Sequence, residues 1–293
     1  MTLLGVFMKK TIFAALCLLT VNSQAVMKVI YGEDNRIEAR NHPNAQLRDM
    51  AKSVAGRVSE YGLYDIGDEF GFSKRTLRDR MNVCSEERFA NQYSVSDCTG
   101  FLVGKDILVT AGHCMQSEYD CSAYKWVFDY EDTSESFNKN NVYGCKEIVD
   151  QAAKYNILGY ANDFAVVKLD REVKGRTPLK FRTKGKIKKS SKIAVIGHPS
   201  GLPVKIADDA RVKNTFGLTF KADLDTYGGN SGSPVINLKS MEVEGILIQG
   251  KEDYVLADHS YCMISNKAKG KGEKVFKINK IKSLKKMKKE GKL

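Results

Sequence analysis

Short apolar runs, each cut off by a glycine or a polar turn, recur through most of this chain and restrict its fold more than any other feature. Phe101, Leu102 and Val103 are followed, after Gly104-Lys105-Asp106, by the run 107–110, a hairpin-like arrangement. Further runs lie at 124–130, 141–149, 164–169, 193–196, 234–236, 243–248 and 274–278. Short strands at fairly regular spacing predict an all-β sandwich or barrel and argue against alternating strand–helix units. A stretch at 171–191, rich in Lys, Arg and Gly, divides the strands into two groups of similar size. Two segments break the pattern. Leu47, Met50, Ala51, Val54, Ala55 and Val58 share one face at helical spacing, which predicts a helix over 44–60, and the lysine-rich end predicts a C-terminal helix.

The 293 residues are 42% hydrophobic, enough for a sizeable core. Lys9 and Lys10 precede an apolar stretch at 11–21 and small residues at 23–25, which reads as an export signal over 1–25. That stretch is too short for a membrane span, so no membrane insertion is expected. Cys17 falls within the signal. Six cysteines follow it (Cys84, Cys98, Cys114, Cys121, Cys145 and Cys262), and an even count in an exported chain favours disulfides. No C-x-x-C pair or closely spaced histidine pair supports zinc, and no metal or cofactor is expected. The formal charge of +12 is concentrated at the end: residues 266–293 hold twelve lysines against Glu273 and Glu290, leaving 26–265 neutral. A solvated terminal helix accounts for that charge, and no nucleic-acid partner is expected.

The chemistry sits in two motifs. Gly228-Gly229-Asn230-Ser231-Gly232-Ser233-Pro234-Val235 places a serine in a tight glycine turn whose backbone N–H groups can converge on one point. Thr110-Ala111-Gly112-His113-Cys114 supplies an imidazole at a strand end, the base that such a serine needs. Asp163, just before the apolar run 164–169, is the candidate carboxylate to orient that imidazole; Asp170 reads as a surface turn residue. His42, His198 and His259 read as loop or packing residues. The order His113, Asp163, Ser231 excludes an α/β-hydrolase, which runs serine, acid, histidine and needs G-x-S-x-G; here Ser233 stands where the second glycine belongs.

These motifs, together with 98–102, 163–169 and the loop Ile196-Gly197-His198-Pro199-Ser200-Gly201, resemble the trypsin-like (chymotrypsin-fold) serine proteases, in the bacterial branch that includes the glutamyl endopeptidases. The resemblance covers roughly 90–280. It implies two six-stranded antiparallel β-barrels with the active site between them, Ser231 as nucleophile, His113 as general base and Asp163 as its partner. It also implies an oxyanion hole from the N–H groups of Gly229 and Ser231, and a Cys98–Cys114 disulfide. The other four cysteines allow three pairings, of which Cys121 with Cys145 and Cys84 with Cys262 is one.

Substrate choice is read from Asp225, six residues before Ser231, and from the strand ending at Gly250. The resemblance implies that Asp225 lies at the base of the primary specificity pocket, with Thr226, Ile248 and Gly250 also among the substrate-binding residues. A carboxylate there would receive Lys or Arg, while Leu247 stands where glutamyl-specific relatives carry a histidine. The expectation is a secreted or periplasmic, monomeric endopeptidase cutting protein or peptide substrates after Arg or Lys. Glutamyl specificity and a catalytically inactive binding module are the alternatives. The expected organisation is a signal at 1–25, an extension or propeptide at 26–90, barrels at 91–180 and 181–278, and a tail at 279–293. Asn230 replaces the aspartate that receives a new N-terminal ammonium in trypsin itself, so activation by that ion pair is not expected.

Overall fold

The computed structural model describes residues 30–31, 33–156, 159–250, 253–267 and 272–293. The expected export signal, Cys17 included, lies outside the described residues. Among the described residues helices are few and short, and the fold is two antiparallel β-barrels.

The first barrel closes through Gly159–Leu169, Ile107–Thr110, Cys98–Leu102, Val54–Ser59, Tyr124–Phe128 and Val142–Asn156, in that order. Val166 faces Val109 across one pair and Phe101 faces Val109 across the next, so branched and aromatic side chains stack around the ring. Phe101, Val109, Trp126 and Val166 are wholly buried. The second barrel runs through Lys192–Gly197, Pro234–Asn237, Glu242–Gln249, Glu273–Lys277, Thr219–Ala222 and Lys205–Phe216. It closes because Lys205–Phe216 pairs with both Lys192–Gly197 and Thr219–Ala222. Closure removes the free edges that such strands would otherwise expose. One apolar cluster runs from Val166 and Phe164 of the first barrel to Ile246 and Phe276 of the second, so the two barrels share a core.

The region 44–60 differs from the expectation. Its helix is only Ala45–Ala51, capped by Asn44, whose side chain accepts from the N–H groups of Gln46 (2.9 Å) and Leu47 (3.2 Å). Val54–Ser59 is instead a strand between Cys98–Leu102 and Tyr124–Phe128, and Val54 to Val58 are all buried. A strand buried on both faces has no two-residue alternation, so its apolar positions also satisfy a helical spacing. The first barrel therefore begins well before residue 91. Loss of everything before residue 85, as a propeptide at 26–90 would require, would remove a barrel strand. The C-terminal helix Lys282–Lys289 buries Leu284 in the shared core and presents its lysines outward.

Among the described residues there are three disulfides: Cys98–Cys114, Cys121–Cys145 and Cys84–Cys262. The last ties the short helix Leu77–Met81 and its following loop to the hairpin of Tyr254–Leu256 and Met263–Ser265.

Candidate active site

His113 lies in a single 3-10 turn, Gly112–Cys114, directly after the strand Ile107–Thr110. The turn needs glycine at 112 because a Cβ there would run into the carbonyl of Ala152. Asp163 sits on the neighbouring strand, wholly buried, and grips His113 twice. One carboxylate oxygen accepts the His113 backbone N–H at 3.0 Å, and the other accepts Nδ1–H at 2.8 Å. A carboxylate can only accept, so this contact fixes the proton on Nδ1 and leaves Nε2 as the basic nitrogen.

Arg57, which sequence reasoning did not single out, holds the same turn from below. Its guanidinium forms a fork with Asp97 (2.8 and 2.9 Å), lies over the Tyr124 ring, and donates to the Cys114 carbonyl. The Arg57 side chain is nearly buried while Asp97 is partly exposed.

The serine turn is docked onto this assembly. The Ser231 carbonyl accepts from Thr99 N–H at 2.8 Å and lies 3.8 Å from Cys114 Sγ. The same sulfur and its partner Cys98 Sγ lie within 4.8 Å of a His113 ring nitrogen. The disulfide consumes both sulfurs, so this cluster is not a metal site. It brings the histidine turn and the serine turn to one spot. Gly232, at φ +93°, donates to the Leu247 carbonyl at 2.7 Å. Ser233 N–H returns to the Asn230 carbonyl at 2.9 Å, closing the turn. Among the described residues the N–H groups of Gly229 and Ser231 donate to no protein acceptor. Asn230 is buried and its Oδ1 accepts from Ser233 Oγ at 3.2 Å.

Asp225 and Thr226 are both buried before this turn. Asp225 does not present an open carboxylate, contrary to the simplest expectation. One oxygen accepts Tyr31 N–H at 2.7 Å and the other accepts Asn35 N–H at 3.3 Å. Burial raises its pKa to about 6, against the lowering effect of those two amides. Ile248 is buried in the shared core, and Leu247 faces the interior of the second barrel. Gly250 looks towards polar atoms: a Cβ built there would lie 3.0 Å from Glu273 Oε2 and 3.9 Å from Thr226 Oγ1. Thr226 Oγ1 is buried without a hydrogen-bond partner among the described residues. Glu273, which the sequence groups with the charged tail, is 1% exposed and accepts from the Tyr31 hydroxyl at 3.4 Å. Its place next to a β-strand was legible in the sequence, but not the direction it faces.

His198 is buried, stacked on Tyr130 and bonded through Nδ1 to the Leu202 carbonyl; burial lowers its pKa to about 4. It is a packing residue, as is His42, which is buried and pairs with Asp208 at 3.3 Å.

The sequence model of the trypsin-like peptidase domain matches residues 98–246, which include His113, Asp163 and Ser231. A glutamyl endopeptidase of Staphylococcus aureus is 31% identical over 157 residues, covering 50% of this chain and 44% of that protein. Secreted RxLR effector protein 73 of Plasmopara viticola is also 31% identical over 157 residues, covering 48% of this chain and 38% of that protein. The matches thus span less than half the length of these relatives. Among solved structures, a Glu endopeptidase in complex with MPD superposes with a TM-score of 0.54 at 17% identity, covering 90% of this chain and 99% of that one. Neuropsin, a serine protease expressed in the limbic system of mouse brain, gives a TM-score of 0.52 at 14% identity, covering 82% and 95%. At those identities the likeness concerns the fold.

Proposed function

Because the chain belongs to the trypsin-like peptidase family, we propose that it is a serine endopeptidase acting through Ser231, His113 and Asp163. The observation that carries this reading is the double contact of buried Asp163 with His113, which prepares Nε2 to take a proton. His113 Nε2 accepts the Ser231 hydroxyl proton as Oγ adds to the substrate carbonyl. The resulting oxyanion is received by the N–H groups of Gly229 and Ser231, a contribution of about 3–4 kcal/mol for one such donor. Collapse of this adduct expels the amine, which takes the proton back from His113 and leaves an acyl-enzyme. Water then repeats the sequence with His113 again as base.

For specificity we favour a Lys or Arg side chain ahead of the cleaved bond. Two buried carboxylates support this choice: Asp225, and Glu273 close to the Gly250 wall and Thr226. Glutamyl specificity is the second reading, favoured by the Staphylococcus aureus relative. Against it stand Leu247 and a second carboxylate, Glu273, which would repel an acidic substrate. Export to an oxidising compartment is supported by the three disulfides. The substrates would be proteins or peptides and the working form a monomer.

The purified protein should hydrolyse casein and label with a fluorophosphonate at Ser231, and Ser231→Ala should fold but do neither. A folded wild type that neither labels nor cleaves would exclude the enzyme. Turnover confined to bonds after Glu in a fluorogenic peptide library would exclude the Lys/Arg preference and leave the protease intact.

A further inference from the structure

Gly228 immediately precedes the oxyanion glycine and is held at both ends by residues remote in sequence. Its N–H donates to Asp253 Oδ2 at 2.6 Å, and its carbonyl accepts the N–H of Ser200. In a trans peptide the carbonyl and the next N–H point in opposite directions. Drawing the Gly228 carbonyl to Ser200 therefore turns the Gly229 N–H to the opposite side. Gly229 itself, at φ +90°, backs onto the 198–201 turn so closely that a Cβ would strike the His198 carbonyl and the Gly201 nitrogen. Ser200 can donate there because it adopts a left-handed conformation, φ 53°, with its hydroxyl bonded to Tyr254 at 2.8 Å. Tyr254 follows Asp253 directly, so one segment supplies both the acceptor for Gly228 N–H and a brace for Ser200.

We infer that Asp253 is a positioning residue for the oxyanion hole: its carboxylate fixes the Tyr227–Gly228 peptide on one side of Gly228 while Ser200 holds the Gly228–Gly229 peptide on the other, and together they set the orientation that presents the Gly229 N–H to the substrate. The inference rests on the reading of Ser231 as nucleophile. Among the described residues the Asp253 carboxylate forms no salt bridge; Arg36 acts on it only through its charge, and that guanidinium is itself held by Asp34 at 2.7 Å. Tyr254 on the same segment and Arg36 on the N-terminal segment are the ionisable groups that face it. Burial raises the Asp253 pKa to about 6, the Gly228 amide being the larger of the two effects that oppose the rise and Arg36 the smaller. The contact therefore gains its full negative charge only above that pH.

The test compares Asp253→Ala and Asp253→Asn in the full exported protein, by steady-state hydrolysis of a peptide amide and by binding of a peptide aldehyde. Loss of the acceptor in the Ala variant should lower kcat about tenfold to a hundredfold and weaken the aldehyde similarly, with KM little changed. The Asn variant keeps an oxygen acceptor and should recover most of both. A folded Ala variant with wild-type kcat and aldehyde affinity overturns the inference, as does a loss confined to KM. In the wild type, the chemical shift of the Gly228 amide should follow the ionisation of the Asp253 carboxylate in a pH titration; an amide shift that does not follow it overturns the inference even if neither variant folds. Fluorophosphonate labelling of wild-type Ser231 separates the two failures: without it the protease reading falls, and with it only the role of Asp253 is at stake.

Discussion

The backbone N–H of Tyr31 lies 2.7 Å from Asp225 Oδ1, so the start of the described chain is tied to the base of the candidate specificity pocket. Ile30, beside it, is wholly buried against Leu77, Leu202 and Tyr227, and Arg36 lies over the Tyr227 ring at 4.0 Å. The segment before the first barrel is thus part of the framework around Asp225.

Asp225 makes stability depend on pH in a defined direction. Its pKa rises on folding from 3.8 to about 6, mainly through burial, so between those values the folded chain binds more protons than the unfolded chain. Stability from this group is therefore greatest at acid pH and is lost as pH rises through about 4 to 6. Relative to Asp225→Asn, the wild type should gain about 2 kcal/mol of unfolding free energy between pH 7 and pH 4. Urea titrations at both pH values measure that difference, and a difference independent of pH would contradict it.

Asp163→Asn should leave the fold intact and nearly abolish turnover. An amide at this position can donate to Nδ1, which moves the histidine proton to Nε2 and removes the base. A fall in kcat of about ten-thousandfold is the expected scale for such a tautomer change. Peptide hydrolysis read beside near-ultraviolet circular dichroism checks it; a variant retaining a tenth of wild-type kcat would not fit.

Arg57→Lys addresses the support under the histidine. Lysine's three N–H donors radiate from a single nitrogen in place of a planar fork, so they cannot reach both Asp97 oxygens and the Cys114 carbonyl as the guanidinium does. The expected cost is about 2–3 kcal/mol of stability, accompanied by lower kcat because the His113 turn loses its anchor. Chemical denaturation and kcat on one peptide substrate measure the two effects, and an unchanged unfolding midpoint would contradict this role.

Much of this site was legible in the residues. Ser231 in its glycine turn, His113 at a strand end and Asp163 ahead of an apolar run each carry a local pattern tied to backbone geometry. Arg57 carries no such pattern, because its partners Asp97 and Cys114 are distant in sequence and meet it only when the barrel closes. The strand Lys205–Phe216 escaped for a related reason. Lys, Asp, Arg and Ala are poor strand formers, and this segment is held by pairing on both sides. Val54–Ser59 was hidden differently, since burial on both faces erased its alternation.

Glu273→Gln offers the sharpest view of substrate choice. The side chain is buried, lies on the first residue of the strand Glu273–Lys277, and reaches the space beside Gly250 and Thr226. If its charge meets a substrate's Lys or Arg, the amide should lower kcat/KM on such substrates about tenfold to a hundredfold, the worth of a charge-assisted bond. Substrates with an uncharged residue at that position should be nearly unaffected, because the volume of the side chain is retained. Ratios of kcat/KM across a matched set of Lys, Arg, Gln, Leu and Glu peptides separate this effect from a general loss of activity. An equal fall on every peptide would assign Glu273 a structural role, and a rise confined to Glu peptides would show its charge acting by repulsion alone.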